Sequence, residues 1–248
     1  MEIGVKIIEG ARLAYFIATV GTMGFFFAYV LATPLYLLSY FFSPARNVAD
    51  RVMRQGVRSL FAVQPWFKAE IDLQLPNAKP GQGRLLVSNH RSHLDAFILL
   101  SQVAGVRIFA KRALFRVPFL GWMMHMMHQI PVERASVEGF WKAIDIVRKQ
   151  LRNGETVHVF PEMTRCSQDH VGTLDFSAAP FLAAIQEKAI VVPIAFTGTD
   201  SAWPKGRTGI RANASIQARV LTPLDPKNFS SADEMKREAR RLIEGALV

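Results

Sequence analysis

Arg84-Leu-Leu-Val-Ser-Asn-His-Arg-Ser-His-Leu-Asp-Ala-Phe-Ile-Leu-Leu100 is the stretch on which the fold turns. Arg84–Ser88 reads as a short apolar strand, and the run from Ala96 to Leu100 reads as a helix starting just beyond it. Between them, Ser92 followed three residues later by Asp95 has the pattern of a helix N-cap with an acid in the first turn.

Working outward, the same texture repeats after about residue 75. Arg107–Ala110, Gln129–Glu133, Thr156–Phe160, Ile190–Thr197 and Ser215–Leu221 are rich in β-branched residues and mostly bounded by turn residues, so they read as strands. Ser136–Arg152 reads as a helix, because Val137, Phe140, Trp141, Ile144, Val147 and Leu151 recur at three- and four-residue steps before Gly154. A last helix opens at Ser231, with Glu234 three residues on. Strands alternating with helices of this length predict an α/β fold, a mixed, mainly parallel sheet covered by helices.

Before that body lies a different kind of sequence. Leu13 to Ala45 contains no Asp, Glu, Lys or Arg, and Leu13–Ala32 is apolar on all sides of a helix about 30 Å long. Pro34 is expected to break or kink it. The stretch is too long for a signal-peptide core and lacks a small-x-small cleavage site, so it predicts a retained anchor, either spanning or dipping into one leaflet. Arg46, Arg51, Arg54 and Arg58 follow it, against Lys6 and Arg12 before it, which favours a cytoplasmic body. The chain therefore divides into residues 1–70, an apolar helical membrane motif with a connecting helix, and residues 71–248, the α/β domain.

Composition agrees. Of 248 residues half are apolar and 20% are charged, which excludes a disordered or coiled-coil protein. The single cysteine, Cys166, excludes a disulfide framework. Thirty basic against twenty acidic residues give a net charge of +10, suited to an anionic partner. No nucleic-acid-binding module accompanies that charge, so a lipid surface is the expected partner and nucleic acid is not.

The chemistry concentrates in the opening stretch. Were His90 and Asp95 both helical, their side chains would stand about 140° apart. With His90 in the loop before the cap, its ring can fold back onto the Asp95 carboxylate, giving an imidazole oriented as a general base. No G-x-S-x-G nucleophile elbow is present, so such a base suits direct attack by a substrate hydroxyl. Two other readings stand beside this one: a local cap-and-turn pair, and a metal site from His90, His93 and Asp95 that lacks a further ligand. His125 and His128, in a Met-rich stretch, are expected to pack. Phe160-Pro-Glu-Met-Thr-Arg165 leaves a strand at the end where open α/β sheets place their sites. Two stretches carry basic charges alone: Arg107, Lys111, Arg112 and Arg116, then Lys205, Arg207, Arg211 and Arg219. Each is either a phosphate site or a solvated face.

Asn89-His90-x4-Asp95 together with Phe160-Pro-Glu-x-Thr-Arg165 resembles the glycerophospholipid acyltransferase family, most closely the bacterial 1-acylglycerol-3-phosphate acyltransferases. Lys111–Trp122 with Ile130-Pro-Val-Glu-Arg134 is similar to the family's second block, and Val192-Pro-Ile-Ala195 to its fourth. The resemblance implies an αβ acyltransferase domain behind a two-helix membrane motif. It implies that His90 is the general base and that Asp95 orients it. It places Arg134, Glu162, Thr164 and Arg165 in the acceptor site, with Lys111 helping to bind phosphate. No metal or other cofactor is implied. The expected donor is acyl-CoA or acyl carrier protein, and the expected acceptor is the sn-2 hydroxyl of lysophosphatidic acid, at a bacterial-type inner membrane. The thioester carbonyl needs donors for its developing oxyanion, and the motifs do not name them.

Two departures bear on the acceptor. Met163 stands where the family usually has glycine, and Ala113 where it commonly has an acidic residue. Another lyso-lipid acceptor, such as a lysophospholipid or an acyl-ornithine, is the alternative these changes motivate, and a non-catalytic protein that binds anionic lipid is a second.

Overall fold

The structure is a computed structural model that describes residues 2–117, 120–133, 135–207 and 209–247. In chain order the elements are α1 (Glu2–Phe25), a π-helical segment (Phe26–Ala32), α2 (Thr33–Leu38), α3 (Pro44–Ala62), β1 (Phe67–Asp72), β2 (Arg84–Ser88) and α4 (Leu94–Gln102). There follow β3 (Arg107–Lys111), α5 (Leu120–Met126), β4 (Ile130–Val132), α6 (Val137–Arg152), β5 (Thr156–Val159) and α7 (Ala179–Gln186). The chain ends with β6 (Ile190–Thr197), the short α8 (Thr199–Ala202), β7 (Ala214–Val220) and α9 (Ala232–Gly245).

Among the described residues, seven strands form one sheet in the order β1-β7-β6-β2-β5-β3-β4. Neighbours are parallel throughout except β6 and β7, which are antiparallel. This is the mixed, mainly parallel sheet the alternation predicts. β2 lies at its centre, and both sheet faces are covered, so alternate residues feed two separate cores. Leu85 and Val87 face Ile144, Val147, Phe181 and Ile243, from helices α6, α7 and α9. Leu86 faces the opposite layer, with Leu94 and Ile98 of α4 and Phe16 of α1.

The caps behave largely as their residues dictate. Ser136 accepts from the Gly139 main-chain N–H at 3.2 Å and opens α6. Ser231 accepts from the Glu234 N–H, while the Glu234 carboxylate reaches one residue further back, to the N–H and hydroxyl of Ser230. α4 begins at Leu94, one residue later than a Ser92 cap places it, yet the Ser92 hydroxyl still accepts from the Leu94 N–H at 3.3 Å.

The N-terminal segment departs from expectation at Pro34. The helix neither breaks nor ends there: Gly4–Leu38 is one apolar helical rod, long enough to cross a membrane. Proline lacks an N–H and crowds the preceding turn, but here it enters at the start of α2, directly after the π segment. The Thr33 N–H reaches five residues back, to the Ala28 carbonyl. Gly56 makes room for this rod, since a Cβ there would stand 2.6 Å from Phe27. Buried Ala28, Ala32, Tyr36, Ala49 and Met53 form the seam with α3.

Candidate active site

Parallel pairing puts the ends of β2, β5, β6 and β3 on one edge of the sheet. Val87 pairs with Val159, and Ser88 with Ile194, so the loop after β2 emerges directly beside the loop after β5. Asn89 fixes that exit. Its amide donates to the Phe196 carbonyl and accepts from the Phe196 N–H, both at 2.8 Å, extending the β2–β6 ladder by a side chain.

His90 follows, and its Nδ1 lies 2.9 Å from Asp95 Oδ2. The same carboxylate oxygen accepts the main-chain N–H groups of Arg91 at 2.8 Å and Ser92 at 2.9 Å. Asp95 is fully buried, whereas the His90 side chain is 15% exposed, enough for a substrate atom to reach it. An acceptor facing Nδ1 keeps the proton there and leaves the lone pair on Nε2. The ring stacks on Phe160 at 3.8 Å and 17°, and Phe160 in turn meets the buried His158 edge-on at 4.4 Å. Burial, reinforced by His90, holds the His158 ring well below its ordinary pKa, and its Nε2 pairs with the Ser88 hydroxyl at 2.9 Å.

The loop after β5 braces this pair through its main chain. Glu162 Oε1 accepts the His90 N–H at 2.7 Å, and Oε2 accepts the Leu174 N–H at 2.9 Å. Burial pushes the Glu162 carboxyl up, against those two hydrogen bonds and the neighbouring His90 and Arg91. The Cys166 N–H closes the loop on the His90 carbonyl at 2.7 Å, and burial raises its thiol. Met163 adopts φ +57°, the left-handed region that glycine enters freely.

The remaining residues singled out from the sequence fall as follows. Thr164 is exposed and Arg165 half-buried, with burial lowering the guanidinium pKa against the pull of Asp95. Lys111 is exposed at the end of β3, on the same sheet edge but two strands from His90. Arg134 lies outside the described residues. His93 lines a cavity, and among the described residues no three His, Cys, Asp or Glu side chains form a metal-type cluster. His125 and His128 are both exposed rather than buried: the His125 ring meets Phe115 edge-on at 5.2 Å, and His128 Nε2 accepts from Arg46 at 3.2 Å.

Sequence reasoning passed over Arg91, which pairs with Asp200 at 3.2 Å and also donates to the His170 and Gly172 carbonyls. It passed over His158 as well, although a histidine between two valines in the buried run Thr-Val-His-Val was a visible signal.

Beside the site, α1, α4, α5 and β3 line an open-sided apolar cavity of about 400 Å³. Its walls include Phe16, Val20, Phe97, Leu114 and Met124, together with His93 and Trp203. Among the described residues no side chain hydrogen-bonds His90 Nε2, so that nitrogen is not engaged by a protein nucleophile.

A histidine so held, at the carboxyl edge of a mostly parallel sheet, sorts with proteins of the αβ acyltransferase class. The chain belongs to the acyltransferase family, whose model matches residues 70–197. Among its relatives are the chloroplast 1-acyl-sn-glycerol-3-phosphate acyltransferase LPAT1 of Arabidopsis thaliana and the 1-acyl-sn-glycerol-3-phosphate acyltransferase of Saccharomyces cerevisiae. The plant protein is 29% identical over 216 residues, 86% of this chain and 58% of its own length. The yeast protein is 30% identical over 152 residues, 59% of this chain and 48% of its own. The chain thus spans about half the length of the curated relatives it matches. In fold it is similar to the crystal structure of the 1-acyl-sn-glycerophosphate (LPA) acyltransferase PlsC from Thermotoga maritima. That likeness has a TM-score of 0.79 at 22% identity and covers 97% of this chain and 95% of the other.

Proposed function

We propose that this chain transfers a fatty acyl group from acyl-CoA or acyl carrier protein to the sn-2 hydroxyl of 1-acylglycerol 3-phosphate, forming phosphatidic acid. The observation that carries the reading is the 2.9 Å His90–Asp95 pair with its unengaged Nε2, set beside an apolar cavity. The plant and yeast relatives named above are both 1-acyl-sn-glycerol-3-phosphate acyltransferases, which supports the same acceptor.

In this reading the acceptor oxygen attacks the thioester carbonyl carbon while His90 Nε2 takes its proton. The carbonyl π pair moves onto oxygen; its return breaks the C–S bond, and the thiolate leaves with the proton from His90. An alcohol is a poor nucleophile at neutral pH, so the positioned base contributes about 10²–10⁴ in rate. Asp95 fixes the tautomer and steadies the imidazolium. Glu162 acts through the main chain, by holding the His90 loop. Arg165 and Lys111 receive the phosphate, with Arg134 as a third cation and Thr164 on the rim. Strand spacing puts Lys111 about 10 Å from the β2 exit, within reach of a long side chain and a glycerol phosphate.

The reading also places the N-terminal rod in one leaflet rather than across the bilayer. Its first half is docked on the α/β domain, where the Glu9 carbonyl accepts the Ile210 N–H at 3.1 Å. Phe16 packs edge-on against Phe97 and Trp203. The outward surface ends in Tyr40, Phe41 and Phe42, with Phe41 92% exposed, next to the basic residues of α3. Residues 1–70 are then read as the membrane motif and 71–248 as the catalytic body, with β1 (Phe67–Asp72) running across that boundary into the sheet and the body facing the cytoplasm in a bacterial-type inner membrane.

The test is an acceptor panel with one labelled acyl thioester, read by product mass. Lysophosphatidic acid is expected to be the preferred acceptor. Preference for an acyl-ornithine or a neutral lysophospholipid overturns the acceptor, an outcome for which Met163 at φ +57° is the motivating departure. No thiol release with any acceptor overturns acyl transfer altogether and leaves anionic-lipid binding.

A further inference from the structure

The acyl-transfer reading leaves the developing oxyanion in need of a donor. Three side chains with nitrogen or oxygen atoms line the apolar cavity: Gln129, Trp203 and His93. Gln129 is committed to the main chain, accepting from the Ile108 N–H at 2.7 Å and donating to the Val106 carbonyl at 3.1 Å. Trp203 donates its indole N–H to the Arg207 carbonyl at 3.2 Å. The His93 ring has no hydrogen-bond partner among the described residues, although it opens onto the cavity. His93 is also exposed, so its ring nitrogens are open to a ligand that enters the cavity.

Its position joins the two halves of the site. His93 follows His90 by three residues and occupies the cap position of α4, where the helix N-terminus favours negative charge. Its ring lies within electrostatic reach of Arg165, His90 and Asp95. Burial first, then Arg165 and His90, hold its pKa down to about 4 against the opposing pull of Asp95. At neutral pH the ring is therefore uncharged, and it keeps one N–H to donate.

We propose that His93 is a further catalytic residue, its ring N–H donating to the carbonyl oxygen of an acyl thioester whose chain fills the cavity. The inference rests on the acyl-transfer reading. When the acceptor oxygen bonds to the carbonyl carbon and its proton passes to His90, the π pair settles on the oxygen that His93 faces. When the C=O bond re-forms and the thiolate departs, that charge is gone and the hydrogen bond weakens. The interaction is strongest in the transition state, which is where a donor raises kcat.

The experiment compares the full chain with His93→Phe, His93→Leu and His93→Gln, using palmitoyl-CoA and lysophosphatidic acid in mixed micelles. Phenylalanine and leucine fill the space without a donor, whereas glutamine retains an N–H. The expected result is a kcat loss of about 10²-fold in the first two with little change in KM, and recovery of about tenfold in the third. Wild-type kcat in either apolar variant overturns the proposal, and so does a loss confined to KM, or a glutamine variant no better than leucine. Circular dichroism identifies any variant that fails to fold, and the remaining pair then decides. A wild-type chain that releases no thiol overturns the underlying acyl-transfer reading instead.

Discussion

Glu162 holds His90 by its main chain: the carboxylate accepts the His90 N–H at 2.7 Å while its other oxygen accepts the Leu174 N–H at 2.9 Å. Two loops far apart in sequence are thereby locked to one side chain. Glu162→Gln keeps one acceptor and turns an NH₂ group toward the other N–H, leaving a buried donor unpaired. A loss of about 2–3 kcal/mol in denaturant-derived stability is expected, with kcat falling and KM little changed. Unaltered stability would show that the brace is dispensable.

The pair at the centre gives a sharper expectation. On the proposed reading His90→Ala removes the general base and is expected to lower kcat by about 10²–10⁴. Asp95→Asn is expected to fall in the same range, because the amide offers Nδ1 no anion and disturbs three N–H bonds. Steady-state rates with saturating thioester check both, and a His90→Ala variant at wild-type turnover removes His90 as the base.

Stability is expected to fall as the solution is acidified from about pH 6.5 toward 4. His93 is held down to about 4, mainly by burial, and His158 well below its ordinary value for the same reason. In that window the unfolded chain binds protons that the folded chain refuses, so unfolding gains ground as pH drops. Glu162, whose carboxyl burial raises, takes up its proton more readily when folded and offsets part of the loss at the acid end. Denaturant midpoints at several pH values test this, and His93→Gln is expected to flatten the slope.

Met163 carries a side chain at φ +57°. Met163→Gly relieves about 1 kcal/mol of backbone strain and forfeits the packing of a half-buried side chain, so stability close to wild type is expected. A β-branched residue has no such compensation, and Met163→Ile is expected to cost about 1–3 kcal/mol. Thermal unfolding of the two variants separates them, and equal losses would show that packing alone governs the position.

Asn89 is expected to be a stability residue first. Asn89→Ala strands the N–H and carbonyl of Phe196 in the core, at a cost of about 2–4 kcal/mol. Hydrogen exchange at the Phe196 amide is the direct readout.

Much of this architecture was legible because its signals are local. β2 and β6 stand at their expected bounds, and the other strands read from the sequence shift by one or two residues, since uninterrupted apolar runs mark buried parallel strands. β1 was not legible: Phe-Lys-Ala-Glu-Ile-Asp is an edge strand half made of charged residues, and only its pairing with β7 makes it a strand. The break expected at Pro34 does not occur because proline's cost depends on the hydrogen bond it removes, and the π register had already withdrawn that bond. The pairing of His90 with Asp95 was readable from a loop-plus-first-turn spacing. The bracing by Glu162 and the openness of His93 were not, because both depend on which strands lie side by side.

The wide turn at Phe26–Ala32 has a mechanical consequence for everything before it. A residue added to an unbroken α-helix swivels everything before it by roughly 100° about the long axis. The wide turns at Phe26–Ala32 absorb one residue more than an α-helix uses for the same rotation, so the preceding helix keeps the facing that sets Phe16 against Phe97 and Trp203 and Val20 on the hollow beside His93. The segment is the joint of the rod, the place where a change of one residue in length is taken up without re-aiming what comes before.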